Sequence, residues 1–148
     1  MNIETVTAAT FELVLPLIAA YQRFYAATPD EARNRTHFSQ LVGDHSRGIQ
    51  FVACDASGAA LGFATLYSTF SSVRASRVCL LNDLFTVPAA RCQGIGRALI
   101  THALAYAVTQ GYSGIEWQTA PTNHAAQRLY DSTGAIRSTW HTYSLQAT

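Results

Sequence analysis

The segment Arg91–Ala98 has the composition of a loop that binds an anionic group. It reads Arg-Cys-Gln-Gly-Ile-Gly-Arg-Ala, with Gly94 and Gly96 two residues apart just before a helical pattern. Glycines there let a ligand approach the backbone closely, and the N–H groups at a helix start attract phosphate. A tight strand-to-helix turn without a ligand explains the same glycines equally well. Leu99 stands where a dinucleotide-binding fingerprint needs its third glycine, so a nicotinamide cofactor is disfavoured.

The cationic residues of the chain exclude several other chemistries. All ten are arginines and the sequence contains no lysine, which rules out a Walker-type phosphate loop and a Schiff-base enzyme. The arginines are scattered singly and the formal net charge is +1, so no surface for nucleic acid is predicted. The three cysteines and five histidines show no disulfide or metal-site spacing. We therefore expect a reduced, cytoplasmic protein without a metal.

Length and hydropathy patterning predict one α/β domain over residues 1–148. No repeat or linker interrupts the chain, and no apolar run reaches the ~20 residues that a membrane span requires. The elements follow from apolar periodicity and from Gly and Pro positions. We predict an edge strand at 2–6; helices from Thr10 or Ala9 to about Tyr25, from Asp30 to Gly43, at 97–110 and at 123–133; strands at 49–54, 60–67, 78–87 and 115–119; a loop at 68–76; and one or two closing strands at 136–145.

Three blocks of the sequence, in order along the chain, together resemble the GNAT N-acetyltransferases. The run Leu81–Pro88 looks like the family's fourth strand. The loop that follows matches the acyl-CoA signature (Arg/Gln)-x-x-Gly-x-(Gly/Ala). The run Asn123–Tyr130, followed by Gly134-Ala135, resembles the family's N-x-x-A-x-x-L-Y…G-(A/F) pattern. The fourth-strand residues and the Trp117…His124 run are most similar to the histone/polyamine-type branch.

The resemblance implies a GNAT-like fold and acetyl-CoA as co-substrate, with no metal. The expected sheet is mixed and mostly antiparallel, has six to seven strands with a splayed fourth and fifth pair, and is flanked by about four helices. The pantetheine arm would lie in the gap between the splayed strands, and the pyrophosphate would rest on amides of the loop. The residues implied in cofactor binding are Leu84, Phe85, Thr86, Arg91, Cys92, Gln93, Gly94, Ile95, Gly96, Arg97 and Asn123.

The same resemblance suggests how an acetyl group would pass directly to an amine. Tyr130 would protonate the departing thiolate, since a phenol that reaches the sulfur can act as a general acid. Asn82 stands where the polyamine-acetylating relatives have a glutamate base, so we expect it to orient a water or the amine. Asp83 follows it, and because consecutive strand residues face opposite sides of a sheet, only one of the two is expected to face the acceptor.

The acceptor is expected to be a small-molecule primary amine or a basic peptide, bound near Tyr21, Phe24, Tyr25 and the 68–76 loop. Ordinary helix packing explains the two tyrosines equally well. The family resemblance also implies a homodimer, and neither a nucleic acid nor a membrane is expected as a partner. Two other functions stay open at this point. One is a CoA-binding sensor without turnover, and the other is an acetyltransferase that acts on protein N-termini or amino acids.

Overall fold

A computed structural model describes residues 1–147, which form two compact units. The first unit ends at Gln118 and holds all five strands and three of the four α-helices. In chain order it contains β1 (Asn2–Thr5), α1 (Phe11–Phe24), α2 (Glu31–Phe38), β2 (Gly48–Cys54), β3 (Ala60–Ser71), β4 (Ser76–Thr86), α3 (Ile95–Thr109) and β5 (Ile115–Glu116), with short 3-10 turns at Ser39–Leu41 and Pro88–Ala90. The second unit begins at Thr119 and contains α4 (His124–Asp131).

The first unit is built on one sheet with strand order β1-β2-β3-β4-β5. The first three pairs are antiparallel and β4 pairs with β5 in parallel, which confirms the mixed, mostly antiparallel arrangement. The expectation of six to seven strands is wrong, because the described residues form five. The difference lies at 136–145, where the closing strands were predicted and none is found. Alternating apolar residues favour a strand only where a sheet edge is there to pair with them.

The two sides of the sheet pack against different helices. Val52, Phe63 and Phe85 join a buried apolar cluster that includes Val14 and Ile18 of α1. On the opposite side, the ring of Phe51 contacts His102 and Tyr106 of α3. Of the apolar residues of α3, Leu99, Ile100, Ala103 and Ala107 are buried, whereas Leu104 and Val108 are exposed. The apolar period therefore identified the packed face of α3 but made it too wide.

The predicted loop at 68–76 is instead the end of a long hairpin. Ser71 pairs with Ser76 in the β3–β4 ladder, so only residues 72–75 form the turn. The end of the hairpin extends beyond the buried part of the sheet, and the side chain of Phe70 there is 77% exposed. A strand that is exposed on both faces shows no apolar alternation, which is why its polar sequence resembles that of a loop.

Within residues 1–147, no helix is long and apolar enough to cross a membrane. The same residues contain no group of three or more histidine, cysteine or acidic side chains arranged to hold a metal ion.

Candidate functional site

Strand β4 contains one residue more than the stretch of β3 that it faces. Asp83 pairs with Thr65, and Leu81 pairs with the next residue, Leu66. Asn82 is therefore the extra residue of a β-bulge. A bulge increases the local twist and re-aims the side chains around it, and such irregularities occur often beside active sites.

The bulge brings the side chains of Asn82 and Asp83 together. The Asn82 amide Nδ2 donates a hydrogen bond to Asp83 Oδ1 at 3.0 Å. Strict alternation of side chains holds only in a regular strand, so neighbouring side chains at a bulge can meet. That only one of the two faces the acceptor stays a prediction. Since the Asn82 nitrogen is used by the carboxylate, its own Oδ1 is left to accept a hydrogen bond. Asn82 is exposed, whereas Asp83 is buried.

Asp83 is a buried carboxyl group with only part of its hydrogen-bonding capacity used. Its residue exposure is 4%, and among the described residues Oδ2 has no partner. Burial raises the pKa of Asp83 above its usual 3.8, and hydrogen bonds from Thr65, Asn82 and Tyr21 oppose that increase. Thr65 is fixed in turn by Gln50, whose Nε2 donates to its Oγ1 at 2.9 Å. Gln50, Thr65 and Asp83 therefore form a row of polar side chains on the α1 side of the sheet, where the other buried side chains are apolar.

Asp83→Asn is expected to stabilise the protein at neutral pH. A carboxyl whose pKa is raised in the folded state destabilises the fold as pH rises from 3.8 through the folded-state pKa. The amide does not ionise, so its advantage in free energy of unfolding should grow over that window and then stay constant. Thermal unfolding of both proteins between pH 3.5 and 7.5 measures this difference. An advantage that did not change with pH would contradict the ionisation of Asp83 as its cause.

The aromatic residues at the end of α1 lie against the bulge. The Tyr21 hydroxyl donates to the backbone oxygen of Asn82 at 3.3 Å. Its ring packs edge-on against Phe85 at 6.3 Å and against Tyr25 at 5.0 Å. Tyr25 also contacts Phe24 at 5.1 Å, and both are about half exposed. The structure thus brings the three residues predicted to bind the acceptor together and places one of them, Tyr21, beside Asn82.

The pair His37 and Tyr67 was not singled out from the sequence. The Tyr67 hydroxyl lies 2.9 Å from His37 Nε2. Burial raises the pKa of Tyr67 to about 12, and the charge of Asp83 adds to the increase. Tyr67 is two residues from Thr65 in β3 and faces the same side as Asp83. No motif could have revealed this pair, since 30 residues separate its members.

Among residues 1–147, the edge of β4 that faces away from β3 pairs with no strand beyond Leu80. Pairing with β5 is confined to Cys79 with Ile115 and Leu80 with Glu116, and the splay of these two strands stays a prediction. The Val87 N–H donates to the Leu61 carbonyl, so these two residues form a hydrogen-bonded pair of the β3–β4 ladder. Such pairs recur at every second residue, so the N–H and C=O of Phe85 also point to β3, whereas those of Leu84 and Thr86 do not. The N–H and C=O groups of Leu84 and Thr86 therefore point to the open edge. Phe85 contributes its ring to the α1 side.

The loop after β4 ends in the start of α3, two residues earlier than predicted. Gly94 is the N-cap with φ +81°, and no side chain caps the helix. Cys92 also has a positive φ of 61°, a conformation that only glycine adopts at no steric cost. Gly96 lies in the first helical turn, so its N–H and that of Ile95 have no acceptor within the helix. The loop thus ends in amide groups suited to a phosphate.

The remaining loop residues have defined places. Gln93 Nε2 donates to the Ala89 carbonyl at 3.3 Å. Arg91 Nε donates to the Thr86 carbonyl at 3.2 Å, and Arg97 lies in the first turn of α3.

In the second unit, Asn123 begins α4. Its side-chain oxygen accepts a hydrogen bond from the Ala126 N–H at 3.2 Å and caps the helix. Tyr130 lies in the last turn of α4 and is half-buried. Gly134 follows with φ +83°. The Asn123 side chain thus has a structural use as the cap of α4, and its amide nitrogen is left for a ligand.

The β4–β5 pair, the bulge and the loop occur in the part of the chain that matches a known family. Residues 14–135 match the acetyltransferase (GNAT) family. The chain belongs to the GNAT family of acetyltransferases. The match identifies the family and not a branch within it, so the histone/polyamine branch is not confirmed.

Individual relatives of this acetyltransferase agree with the family assignment. The uncharacterized N-acetyltransferase YhfO of Bacillus subtilis (strain 168) is 34% identical over 134 residues, which cover 90% of this chain and 89% of the relative. The D-amino-acid N-acetyltransferase HPA3 of Saccharomyces cerevisiae is 36% identical over 111 residues, 74% of this chain and 69% of the relative. The crystal structure of a probable acetyltransferase superposes with a TM-score of 0.89 at 27% identity and covers 100% of this chain and 99% of that one.

The residues present fit the acetyl-CoA that this family uses. Leu84 offers its N–H and C=O, and Thr86 its N–H, on the edge of β4 that faces away from β3, as an extended amide-containing arm requires. The Thr86 carbonyl accepts from Arg91. At Gly94, an added Cβ would meet no atom within 4 Å, so the backbone there is accessible to a pyrophosphate. Acetyl-CoA supplies an activated acyl group as a thioester. The chain supplies hydrogen bonds and position.

Proposed function

We propose that this acetyltransferase moves the acetyl group of acetyl-CoA directly to the primary amine of a small molecule. The observation that carries the proposal is the bulge at Asn82, which presents an oriented amide beside an open strand edge and an aromatic surface. Direct transfer needs a donor for the thioester oxygen, a group that holds the amine and an acid for the thiolate. The chain offers a candidate for each.

The Leu84 N–H is the candidate donor for the thioester carbonyl. It points to the open edge of β4, two residues after the bulge. A backbone amide fixed in a strand needs no reorganisation as charge develops on the oxygen, and this makes such donors effective.

Asn82 is the candidate group that holds the amine. Because Asp83 takes its amide N–H, the Asn82 Oδ1 accepts a hydrogen bond from an amine or from a water that removes the proton. The Tyr21 hydroxyl fixes the same residue through its backbone oxygen. A buried acid thus acts through Asn82 by positioning it, and Asn82 itself contacts the acceptor.

Asn82→Ala is expected to lower kcat about tenfold, the effect of one lost hydrogen bond of typical strength. The dissociation constant of acetyl-CoA should not change, since the cofactor is assigned to other atoms. Steady-state kinetics and calorimetric titration measure the two quantities. Asn2→Ala, in the exposed strand β1, serves as the matched control. If Asn82→Ala and Asn2→Ala had equal kcat values, Asn82 would have no role in the transfer step.

Tyr130 is the candidate acid that protonates the departing thiolate. Its assignment rests on the match of Asn123–Tyr130 to the family's helix pattern.

The distribution of acidic residues disfavours a polycationic acceptor. Of the nine carboxylates in the chain, Asp83 is the buried one, and it is already bonded to Asn82. Four others, Glu12, Glu31, Glu116 and Asp131, form ion pairs with arginines. A polyamine would therefore find no cluster of negative charge beside the bulge.

Amino acids are a second candidate class of acceptor. The observation in their favour is the similarity to a relative named as a D-amino-acid N-acetyltransferase. These molecules carry one amine and no surplus of positive charge, which suits a site with few carboxylates.

Thiol release from acetyl-CoA by the purified protein tests the proposal. The acceptor panel contains polyamines, amino acids of both configurations, aminoglycosides and basic peptides, and acetyl-CoA alone is the blank. We expect release above the blank with a small amine. Tight binding of acetyl-CoA without turnover of any acceptor would favour a CoA-binding sensor. A failure to bind acetyl-CoA would overturn the proposal.

A further inference from the structure

Tyr67 joins the half-buried part of β3 to an exposed imidazole on α2. His37 belongs to α2 and is exposed, whereas Tyr67 is half-buried. The Tyr67 hydroxyl lies 2.9 Å from His37 Nε2, and the two rings pack edge-on at 6.3 Å. When Nε2 carries no proton, it accepts a hydrogen bond from the phenol. The contact therefore leads from the interior of the first unit to solvent.

Asp83 lies on the same side of the sheet as Tyr67. Asp83 pairs with Thr65, and Tyr67 follows Thr65 by two residues in β3. The two side chains are therefore diagonal neighbours across the ladder, and such neighbours are within reach of an aromatic side chain. Burial and, after it, the charge of Asp83 raise the pKa of Tyr67 to about 12. The carboxyl is thus close enough to act on the phenol.

One oxygen of the Asp83 carboxyl has the properties of a proton acceptor. Oδ1 accepts from Asn82 at 3.0 Å, whereas Oδ2 has no partner among residues 1–147. Burial raises the pKa of Asp83, and a carboxylate with a raised pKa is a stronger base. The amide of Asn82 does not take up a proton. A proton released beside Asn82 is therefore best accepted by Asp83.

A buried base needs a route by which its proton leaves again. Asp83 is 4% exposed, so its carboxyl makes almost no contact with bulk water. Without an exit it would stay protonated after the first turnover. Tyr67 and His37 are the groups of the described chain that lead from this side of the sheet to an exposed base.

We propose that Asp83, Tyr67 and His37 form a proton path that carries the proton of the acceptor ammonium group to solvent. The inference rests on the proposed function and names residues that complete it. The proton that travels is the one whose loss converts the ammonium group to the free amine, before the nitrogen attacks the thioester. In this path Asp83 receives the proton, and Tyr67 and His37 act through Asp83 without touching the acceptor.

The transfers along the proton path balance. The water held by Asn82 takes a proton from the ammonium nitrogen and gives one to Asp83 Oδ2. A second water, bonded to Oδ2 and to the Tyr67 hydroxyl, passes the proton on, since buried polar atoms without a protein partner commonly bind water. Tyr67 accepts it as its own proton moves to His37 Nε2. The imidazolium then releases one proton to solvent for each acetyl group transferred.

The test compares His37→Ala, Tyr67→Phe and the wild type, each with and without imidazole in the buffer. Imidazole can replace the missing ring at the exposed position 37, whereas Tyr67→Phe interrupts the path further inside. His45→Ala, in the loop before β2, removes a histidine outside the path and is the matched control. Steady-state kinetics give kcat and the acceptor KM, and calorimetry gives the dissociation constant of acetyl-CoA. Reactions with imidazole but no acceptor are the blank, and thermal unfolding shows that each variant is folded.

We expect His37→Ala to lower kcat about tenfold, because a positioned proton-transfer group contributes about 100-fold or more and water replaces part of this at an exposed position. Imidazole should restore most of the loss. Tyr67→Phe should lose at least as much without rescue, and the double variant should lose no more than Tyr67→Phe, since one interruption already stops the path. The acceptor KM and the dissociation constant of acetyl-CoA should stay within about twofold of the wild-type values.

A crystal structure of the wild type tests the proton path without any turnover. It should contain a water within hydrogen-bonding distance of both Asp83 Oδ2 and the Tyr67 hydroxyl. Tyr67→Phe should lack this water, because a phenyl ring offers it no hydrogen bond. A wild-type crystal that shows other buried waters but none at this position would overturn the path.

Three kinetic results would overturn the inference while leaving the proposed function intact. The first is a wild-type kcat in His37→Ala or in Tyr67→Phe. The second is a loss in His37→Ala that imidazole does not restore, which would make the His37–Tyr67 contact a structural one. The third is a higher acceptor KM at unchanged kcat, which would assign the pair to acceptor binding. An absence of turnover with every amine would instead overturn the proposed function, and this inference with it.

Discussion

Tyr130→Phe is expected to lower kcat by about a hundredfold or more, the range typical of a lost general acid. The substitution removes one oxygen and keeps the ring, so the packing of α4 should persist. Without the proton from the phenol, the thiolate must leave as an anion, which raises the barrier of the transfer step. The dissociation constant of acetyl-CoA should stay within about twofold of the wild-type value, because ground-state binding does not depend on that proton.

Single-turnover kinetics with acetyl-CoA and the preferred acceptor measure this effect separately from product release. The matched control is Tyr143→Phe, in the same unit of the chain, where the tyrosine is 91% exposed. If both variants transferred the acetyl group at the wild-type rate, another group would have to protonate the thiolate. A parallel loss of acetyl-CoA affinity would instead assign Tyr130 to cofactor binding.

Gly62→Ala is expected to destabilise the protein by about 2–3 kcal/mol, the usual penalty for overfilling a packed site. A Cβ at Gly62 would lie 2.5 Å from the Phe85 carbonyl oxygen and 3.3 Å from the Thr86 Cα. Both are backbone atoms, so no side-chain rotation relieves the contact. The strands must move apart at Phe85 and Thr86, next to the open edge assigned to the pantetheine arm. Acetyl-CoA affinity should therefore fall as well.

Thermal and urea unfolding measure the stability of Gly62→Ala, and calorimetry measures its acetyl-CoA affinity. Gly58→Ala separates the clash from backbone strain. Gly58 has φ +86° and no atom within 4 Å of an added Cβ, so its replacement should cost about 1 kcal/mol and leave the affinity unchanged. Equal stabilities for the two variants would show that β3 and β4 separate more easily than the contact distances imply.

The family and most of the elements could be predicted from the sequence, since these rest on local patterns. The spacing of Arg91, Gly94 and Gly96 is contiguous, and the apolar periods of α1 and α3 are regular. The 136–145 strands were wrong because a strand depends on a partner that a local pattern does not contain. The homodimer and the cytoplasmic location stay predictions.

The chemistry of the site was harder to foresee than its position. The residues Asn82 and Asp83 were identified, but the bulge that joins their side chains depends on pairing with Thr65 and Leu66 of another strand. The contact between His37 and Tyr67, and that between Arg91 and Phe24, also join distant parts of the chain. Periodicity describes one segment at a time, so it identified candidates without showing which of them meet.

Because Asn82 is the extra residue of the bulge, the sheet should tolerate its deletion. Leu81 and Asp83 already pair with the adjacent residues Leu66 and Thr65. Deletion of Asn82 would close the ladder without shifting either half, whereas deletion of a regularly paired strand residue would move every side chain beyond it to the other face. The position proposed to hold the acceptor is thus one that the sheet does not need for its pairing.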